Sequence, residues 1–259
     1  MIRFRQSYAK TLLNDCPGQL AKDLAEGRHA SRAMTLGTVV DQLVFGRARY
    51  HVIQAKYKSG SRKGEPVSSW TPDAKEEQES LGPDRVAVFA RDVPRLESAA
   101  ARVRTELLER GIDLDDAETV SQEAVTWLGR DNTPCEGTPD IVLRSKGETI
   151  DLKYGEECDP RAIKRMIWSM CWDVQGAAYQ EAYAFHGGTH RIARASDSCF
   201  VMVTLTPFNL SIGRERLDHA RSIWNKCVRD DEWPWWPDCD VDPPEFEVQR
   251  WMAQAGDRK

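Results

Sequence analysis

EGTPDIVLRSKGETIDLKYG, residues 136–155, holds two short β-branched runs separated by the polar pair Lys146-Gly147. Side chains alternate between the two faces of a strand, so Asp151 and Lys153 in TIDLKY share one face. Asp140 begins the preceding run. If the chain turns back at Lys146-Gly147, its carboxylate approaches that of Asp151 closely enough for the two to share a cation. Two carboxylates, with backbone carbonyl and water oxygens, suit Mg²⁺ or Mn²⁺, hard ions that prefer oxygen ligands. Lys153 is then placed to orient a water or to stabilise charge growing on a phosphate.

Upstream, TVSQEAVTWL (residues 119–128) reads as the first strand of an antiparallel meander. Glu123 within it is either a third carboxylate for the cation or a solvated strand residue. Downstream, residues 160–185 read as one long helix, on which Gln175 and Tyr179, four apart, lie on one face. Arg161, Lys164 and Arg165 at its start are placed to hold backbone phosphates, contacts that carry no base information. A strand over 199–206, a turn or strand through 212 and a helix over 214–228 complete this half.

The N-terminal part reads as helical. Ser7 caps a helix through Leu13, Pro17 opens a second ending near Gly27, and residues 33–45 form a third. Residues 47–72 read as an exposed loop, and 73–110 as helices interrupted at Pro94. No internal repeat is present.

The 259 residues are 41% hydrophobic and 30% charged, enough for a sizeable core. With a mean hydropathy of −0.58 and no apolar run near the roughly 18 residues of a membrane span, a transmembrane helix is not expected. The start, MIRFRQSYAK, has no apolar signal core, which points to the cytoplasm. The net charge of −5 excludes a coat of global basicity around nucleic acid, yet the charge is segregated. Residues 47–63 carry six cations, Arg62 and Lys63 among them, and no acid, whereas residues 230–247 are strongly acidic. Seven scattered cysteines without a CxxC pair read as reduced structural thiols, and Cys227 and Cys239 are too far apart for a zinc knuckle. His29, His51, His186, His190 and His219 show no zinc-binding spacing. Trp233, Trp235 and Trp236, among prolines, read as rings locking a tail onto the body.

Pro139-Asp140, Asp151-Leu152-Lys153 and Gln175-Gly-Ala-Ala-Tyr179, in this order, resemble the PD-(D/E)XK nuclease core with the QxxxY signature of RecB-like and RecE-like exonucleases. LLNDCP, LGTVVDQLVFG, the basic loop with SRKGE, SQEAVTW and DDEWPWWP extend the likeness to phage and prophage exonucleases of the RecE type. The resemblance implies an α+β fold with an α/β/α restriction-endonuclease-like core, a central mixed sheet flanked by helices, and an N-terminal helical region. It implies one nuclease domain over 1–259, divided into a helical region 1–115 with the basic loop 47–64, a catalytic core 116–228 and a tail 229–259. Glu123, Asp140 and Asp151 become metal ligands together with the Leu152 carbonyl, Lys153 the catalytic lysine, and Gln175 and Tyr179 active-site helix residues near DNA. Where such proteins carry the histidine of GTxxH, this sequence has Asp41, still a hard oxygen donor. Cys16 stands where some relatives hold the first cysteine of an iron–sulfur cluster, but its closely spaced partners are missing, so no cluster is expected.

The activity so implied is a Mg²⁺- or Mn²⁺-dependent exonuclease acting on double-stranded DNA ends, 5′ to 3′, in phage-type recombination. Arg62, Lys63, Arg161, Lys164 and Arg165 would hold DNA, a single-strand annealing protein would be the partner, and copies would close into a homo-oligomeric ring. The alternatives are a structure-specific or restriction-like endonuclease on the same core and a non-catalytic DNA-end-binding protein.

Overall fold

In the computed structural model the described residues are 2–27, 31–47, 49–82, 85–116 and 119–235. His29, Trp236, Cys239 and most of the acidic tail lie outside them.

The chain runs β1 (Phe4–Arg5), α1 (Gln6–Asn14), α2 (Pro17–Glu26), α3 (Arg32–Val44), β2 (Tyr50–Val52), α4 (Pro72–Glu79), β3 (Val86–Val88) and α5 (Val93–Glu109). It continues through β4 (Thr119–Ser121), β5 (Val125–Leu128), β6 (Pro134–Gly137), β7 (Ile141–Leu143) and β8 (Glu148–Tyr154). α6 (Pro160–Ser169), α7 (Trp172–Ala182), β9 (Thr189–Ala195), β10 (Phe200–Thr204) and α8 (Pro207–Asp230) follow. The fold is α+β, around a five-stranded mixed sheet ordered β10-β9-β8-β7-β4, with only β8 and β9 parallel.

Strand alternation divides the core. Ile150 and Leu152 of β8, with Ile141 and Leu143 of β7, pack against Leu36, Val39 and Val40 of α3 and Leu96, Ala99 and Val103 of α5. Ile192 of β9 faces the other way, onto Ile163 and Ile167 of α6 and Trp172 of α7. Thr149 and Asp151 share that second face, because Thr149 stands beside His190 and Asp151 beside Ile192 in the parallel register. A second sheet, β1-β6-β5, lies with α1, α2, α7 and α8 around Phe4, Leu12, Cys135 and Trp224.

Several sequence expectations are corrected here. TVSQEAVTWL is two strands in two different sheets: Gln122, at φ 48°, turns the chain between β4 and β5. Pro139 interrupts TPDIVL in the same way, since it has no N–H for a ladder; β6 ends at Gly137 and β7 starts at Ile141. The long helix breaks at Cys171, which adopts a left-handed φ of 54°. Pro94 opens α5 rather than interrupting a helix. The 47–72 segment includes β2 and a bridge between Lys56 and Pro66 over the buried Ile53 and Val67. α1 has no side-chain cap, and α8 begins at Pro207 behind a capping box of Thr206 and Asn209.

The cysteines are not all reduced: Cys158 and Cys199 form a disulfide. β8 and β9 end side by side, with the Gly155 N–H on the Ala195 carbonyl at 3.0 Å, and this brings the two residues together. Cys16, Cys135, Cys171 and Cys227 are buried free thiols. Trp233 packs edge-on against Trp224, with centroids 5.5 Å apart. Among the described residues no helix is long and apolar enough to cross a membrane.

Candidate active site

The β7–β8 hairpin creates the site. Gly147, at φ 61°, supplies the left-handed residue that closes it, a conformation glycine adopts without steric cost. Ile141 then pairs with Ile150, and one step further along the ladder Asp140 comes opposite Asp151. Asp140 Oδ2 accepts the Leu152 N–H at 2.7 Å, while the Leu152 side chain points into the core. Asp151, 2% exposed, accepts a hydrogen bond from Gln175 Nε2 at 2.5 Å and forms an ion pair with Lys153 through Oδ2. That buried Oδ2 has the ammonium beside it but no hydrogen bond of good geometry.

Asp41 joins from α3. Desolvation raises its carboxyl from the ordinary 3.8 to about 7, with Lys153 pulling it down and Asp151 pushing it up. Asp140 is pushed well above the ordinary range, first by burial and then by the charges of Asp151 and Asp41. Lys153 loses hydration on burial, yet the three carboxylates outweigh that loss and raise its pKa, so the ammonium stays charged. Three acids therefore face one base in a buried pocket. Among the described residues no three His, Cys, Asp or Glu side chains are already drawn into a metal cage. The donor set is nevertheless all oxygen and carries excess negative charge, which fits a hard divalent cation.

α7 closes the pocket. Tyr179 donates to the Thr138 carbonyl at 3.0 Å and accepts from Gln6 Nε2 at 3.0 Å; burial raises its pKa and keeps it neutral. Gly176 lets the helix lie against His190: a Cβ there would sit 2.7 Å from the imidazole Cδ2. His190 is fully buried, with Nδ1 2.8 Å from Thr149 Oγ1, and desolvation lowers its pKa to about 4. Gln6, Thr138 and His190 had no signal in the sequence. Their partners are distant in the chain, as with Gln6 and Tyr179, which are 173 positions apart.

Asp41, Asp140, Asp151, Lys153, Gln175 and Tyr179 thus converge. Glu123 does not: it lies between β4 and β5 instead of within a strand, its side chain is 57% exposed, and it pairs with Arg144 at 3.4 Å. Lys164 and Arg165 are exposed on α6, while Arg161 is tied to the helix cap Asp159 at 3.0 Å. Lys63 is exposed, and Arg62 pairs with Glu65 at 2.8 Å, apart from the carboxylates.

The fold is similar to the crystal structure of a protein provisionally described as an exonuclease, from Eubacterium rectale. The TM-score is 0.62 over 97% of this chain and 93% of that one, at 15% identity. A phage-related exonuclease from Haemophilus somnus 129PT matches with a TM-score of 0.38 and 12% identity, over 74% of this chain and 95% of that one. No family model matches the chain, and no curated protein does.

Proposed function

We propose that the chain is a Mg²⁺- or Mn²⁺-dependent deoxyribonuclease, an exonuclease that degrades the 5′ strand at duplex DNA ends in phage-type recombination. The observation that carries this reading is the pairing of Asp140 with Asp151 beside Lys153 and under Gln175. The fold shared with a protein described as an exonuclease supports it. Asp140, Asp151, Asp41 and the Leu152 carbonyl would hold the cation, which when bound would supply charge relief on the phosphate and a more acidic water.

The protein's own part is positioning. Gln175 holds one oxygen of Asp151, and the Leu152 amide holds one of Asp140, so both carboxylates are fixed before substrate arrives. Lys153, kept charged by its acidic neighbours, is placed to meet the charge that grows on the phosphate. Lys164 and Arg165 on the helix that follows β8 would hold backbone phosphates, which fixes the duplex without reading its sequence. A single-strand annealing protein as partner and a ring of copies around the duplex belong to the same reading.

End-labelled linear duplex and a covalently closed circle, each with Mg²⁺ and with EDTA, test it. Release of nucleotides from the linear substrate alone, and only with Mg²⁺, is the expected result. Cleavage of the circle would make the enzyme an endonuclease. Binding to ends with no cleavage of either substrate would leave only a DNA-end-binding protein.

A further inference from the structure

α3 carries two surfaces. With about 3.6 residues per turn, Gly37 and Asp41 fall on the side facing the carboxylate pocket, and Arg32, Thr35 and Leu36 on the opposite side. The exposed Met34 and Thr38 lie between. Arg32 and Leu36 help to line a cavity of about 220 Å³ with Trp70, Gln78 and Phe89. Trp70 is 40% exposed, and its ring lies 4.9 Å from that of Phe89 at a tilt of 56°, so part of the indole meets solvent at the cavity it lines. Behind the short 3₁₀ turn Ala90–Asp92 a second cavity of about 400 Å³ is lined by Arg62, Ser68 and Arg91.

Cations and rings alternate along this surface. The Arg62 guanidinium lies 4.7 Å from the centre of the Tyr57 ring, and that of Arg91 5.9 Å from Phe89. One buried carboxylate, Asp92, serves three arginines: Arg32 on both oxygens at 3.1 Å, Arg95 at 2.9 Å and Arg91 at 3.9 Å. The other acids paired here are Glu65 with Arg62 and the exposed Glu156 with Arg95, and Lys63 adds a further exposed charge. On α4, Asp73 is taken by Lys58, and Glu77 by His51 and the Gln54 and Ala55 amides. Glu76 and Glu79 line neither cavity.

We propose that the surface formed by Trp70, backed by the buried Phe89, with Arg32, Arg62 and Arg91 binds single-stranded DNA, stacking an unpaired base at Trp70 and holding the flanking phosphates with the arginines. An indole stacks on a base only when a face of that base is free, which the interior of a duplex does not offer, and guanidinium groups around a small apolar opening suit a polyanion. The source of the strand rests on the nuclease reading: a strand released at the carboxylate pocket crosses the Met34–Thr38 side of α3 to arrive here.

The test uses the full chain in EDTA, with a fluorescein-labelled oligothymidylate and a labelled blunt duplex. Trp70→Ala should weaken oligothymidylate binding about ten-fold. Trp70→Phe, which keeps a ring, should stay within about two-fold of wild type. Trp70→Leu keeps apolar packing on Phe89 without a base-stacking face, and so separates stacking from folding should the alanine variant unfold; it should bind as weakly as the alanine variant. Arg91→Ala should lower affinity and reduce the salt slope by about 0.7. Unchanged oligothymidylate affinity in Trp70→Leu and Arg91→Ala would overturn the proposal, as would an equal loss on the duplex. Asp151→Asn should leave this binding intact. A wild-type chain that binds the oligonucleotide but never cleaves DNA would sink the nuclease reading alone, and one that cleaves without binding it would sink this surface alone.

Discussion

Two of the places where the molecule buries charge do so in opposite ways. Arg221 on α8 is 1% exposed and is met by Glu181 at 2.6 Å, by Asp218 and by Asp131 at 3.6 Å. Burial alone would lower its pKa, but its acidic partners raise it, so the charge is retained. In the β7–β8 pocket three carboxyls share one ammonium; desolvation and mutual repulsion push Asp41 and Asp140 up. The first cluster also sets three acids against one base, but Asp131 and Asp218 are 39% and 49% exposed, so water carries part of their charge, and the cluster joins α8 to α7 and the β5–β6 turn. In the second the deficit of positive charge lies out of water, which is costly to maintain unless a cation is to be bound.

The sharpest way to break this contrast is to remove an acid from the pocket. If the proposed nuclease reading holds, Asp140→Asn and Asp151→Asn should each lower metal-dependent cleavage by about a thousand-fold or more, because each removes a proposed ligand's charge without emptying a core. Circular dichroism should show the wild-type fold, and near-wild-type turnover in either folded variant would sink the assignment. Removing the base of the first cluster should act on stability instead of cleavage. Arg221→Met leaves Glu181 and its neighbours without their counter-charge and should destabilise the chain by about 3 kcal/mol in urea unfolding. Folded protein at low temperature should keep its cleavage rate.

Lys153→Met separates the two roles of positive charge within the pocket. Cleavage at saturating Mg²⁺ should fall about a hundred-fold, whereas calorimetric Mn²⁺ affinity should hold or improve, because a competing cation has left Asp151. Lost Mn²⁺ affinity with an intact rate would reverse the role given to the lysine.

How much of this was legible in the sequence follows from how local each cause is. The β7–β8 hairpin was readable because its turn residues and alternation all lie within residues 136–155, and the same pattern put Asp140, Asp151 and Lys153 on one face. The division of residues 119–143 between two sheets was not, since it depends on the left-handed Gln122, whose N–H reaches the Asp140 carbonyl at 3.0 Å. β9 is not legible because THRIARA looks polar: His190 Nδ1 meets Thr149, and Arg191 forms an ion pair with the buried Glu148 at 2.9 Å, partners no window of sequence reveals. Glu123 looked like a ligand only while it was read as lying in a strand. The disulfide required knowing that β8 and β9 end together.

The smallest effect, and the most direct reading of the charge deficit, is the pH dependence of stability conferred by Asp41. Its carboxyl binds a proton at about 7 in the folded chain, against an ordinary 3.8. Between these values the folded chain holds more protons than the unfolded one, so stability declines as pH rises through this window. Asp140, shifted in the same direction beside Asp151 and Lys153, adds to the slope, so Asp41→Asn should flatten it without abolishing it. At pH 8 in EDTA that variant should be more stable than wild type by about 1–2 kcal/mol, because a buried charge has been removed. Mg²⁺ should act oppositely on the two proteins' difference: it stabilises the chain that binds it better, so the wild type should gain more melting temperature than Asp41→Asn. Melting curves at pH 5 and pH 8, with EDTA and with Mg²⁺, measure both effects. Parallel curves for the two proteins under all four conditions would place Asp41 outside the charge balance of the pocket and leave Asp140 and Asp151 as its only coupled acids.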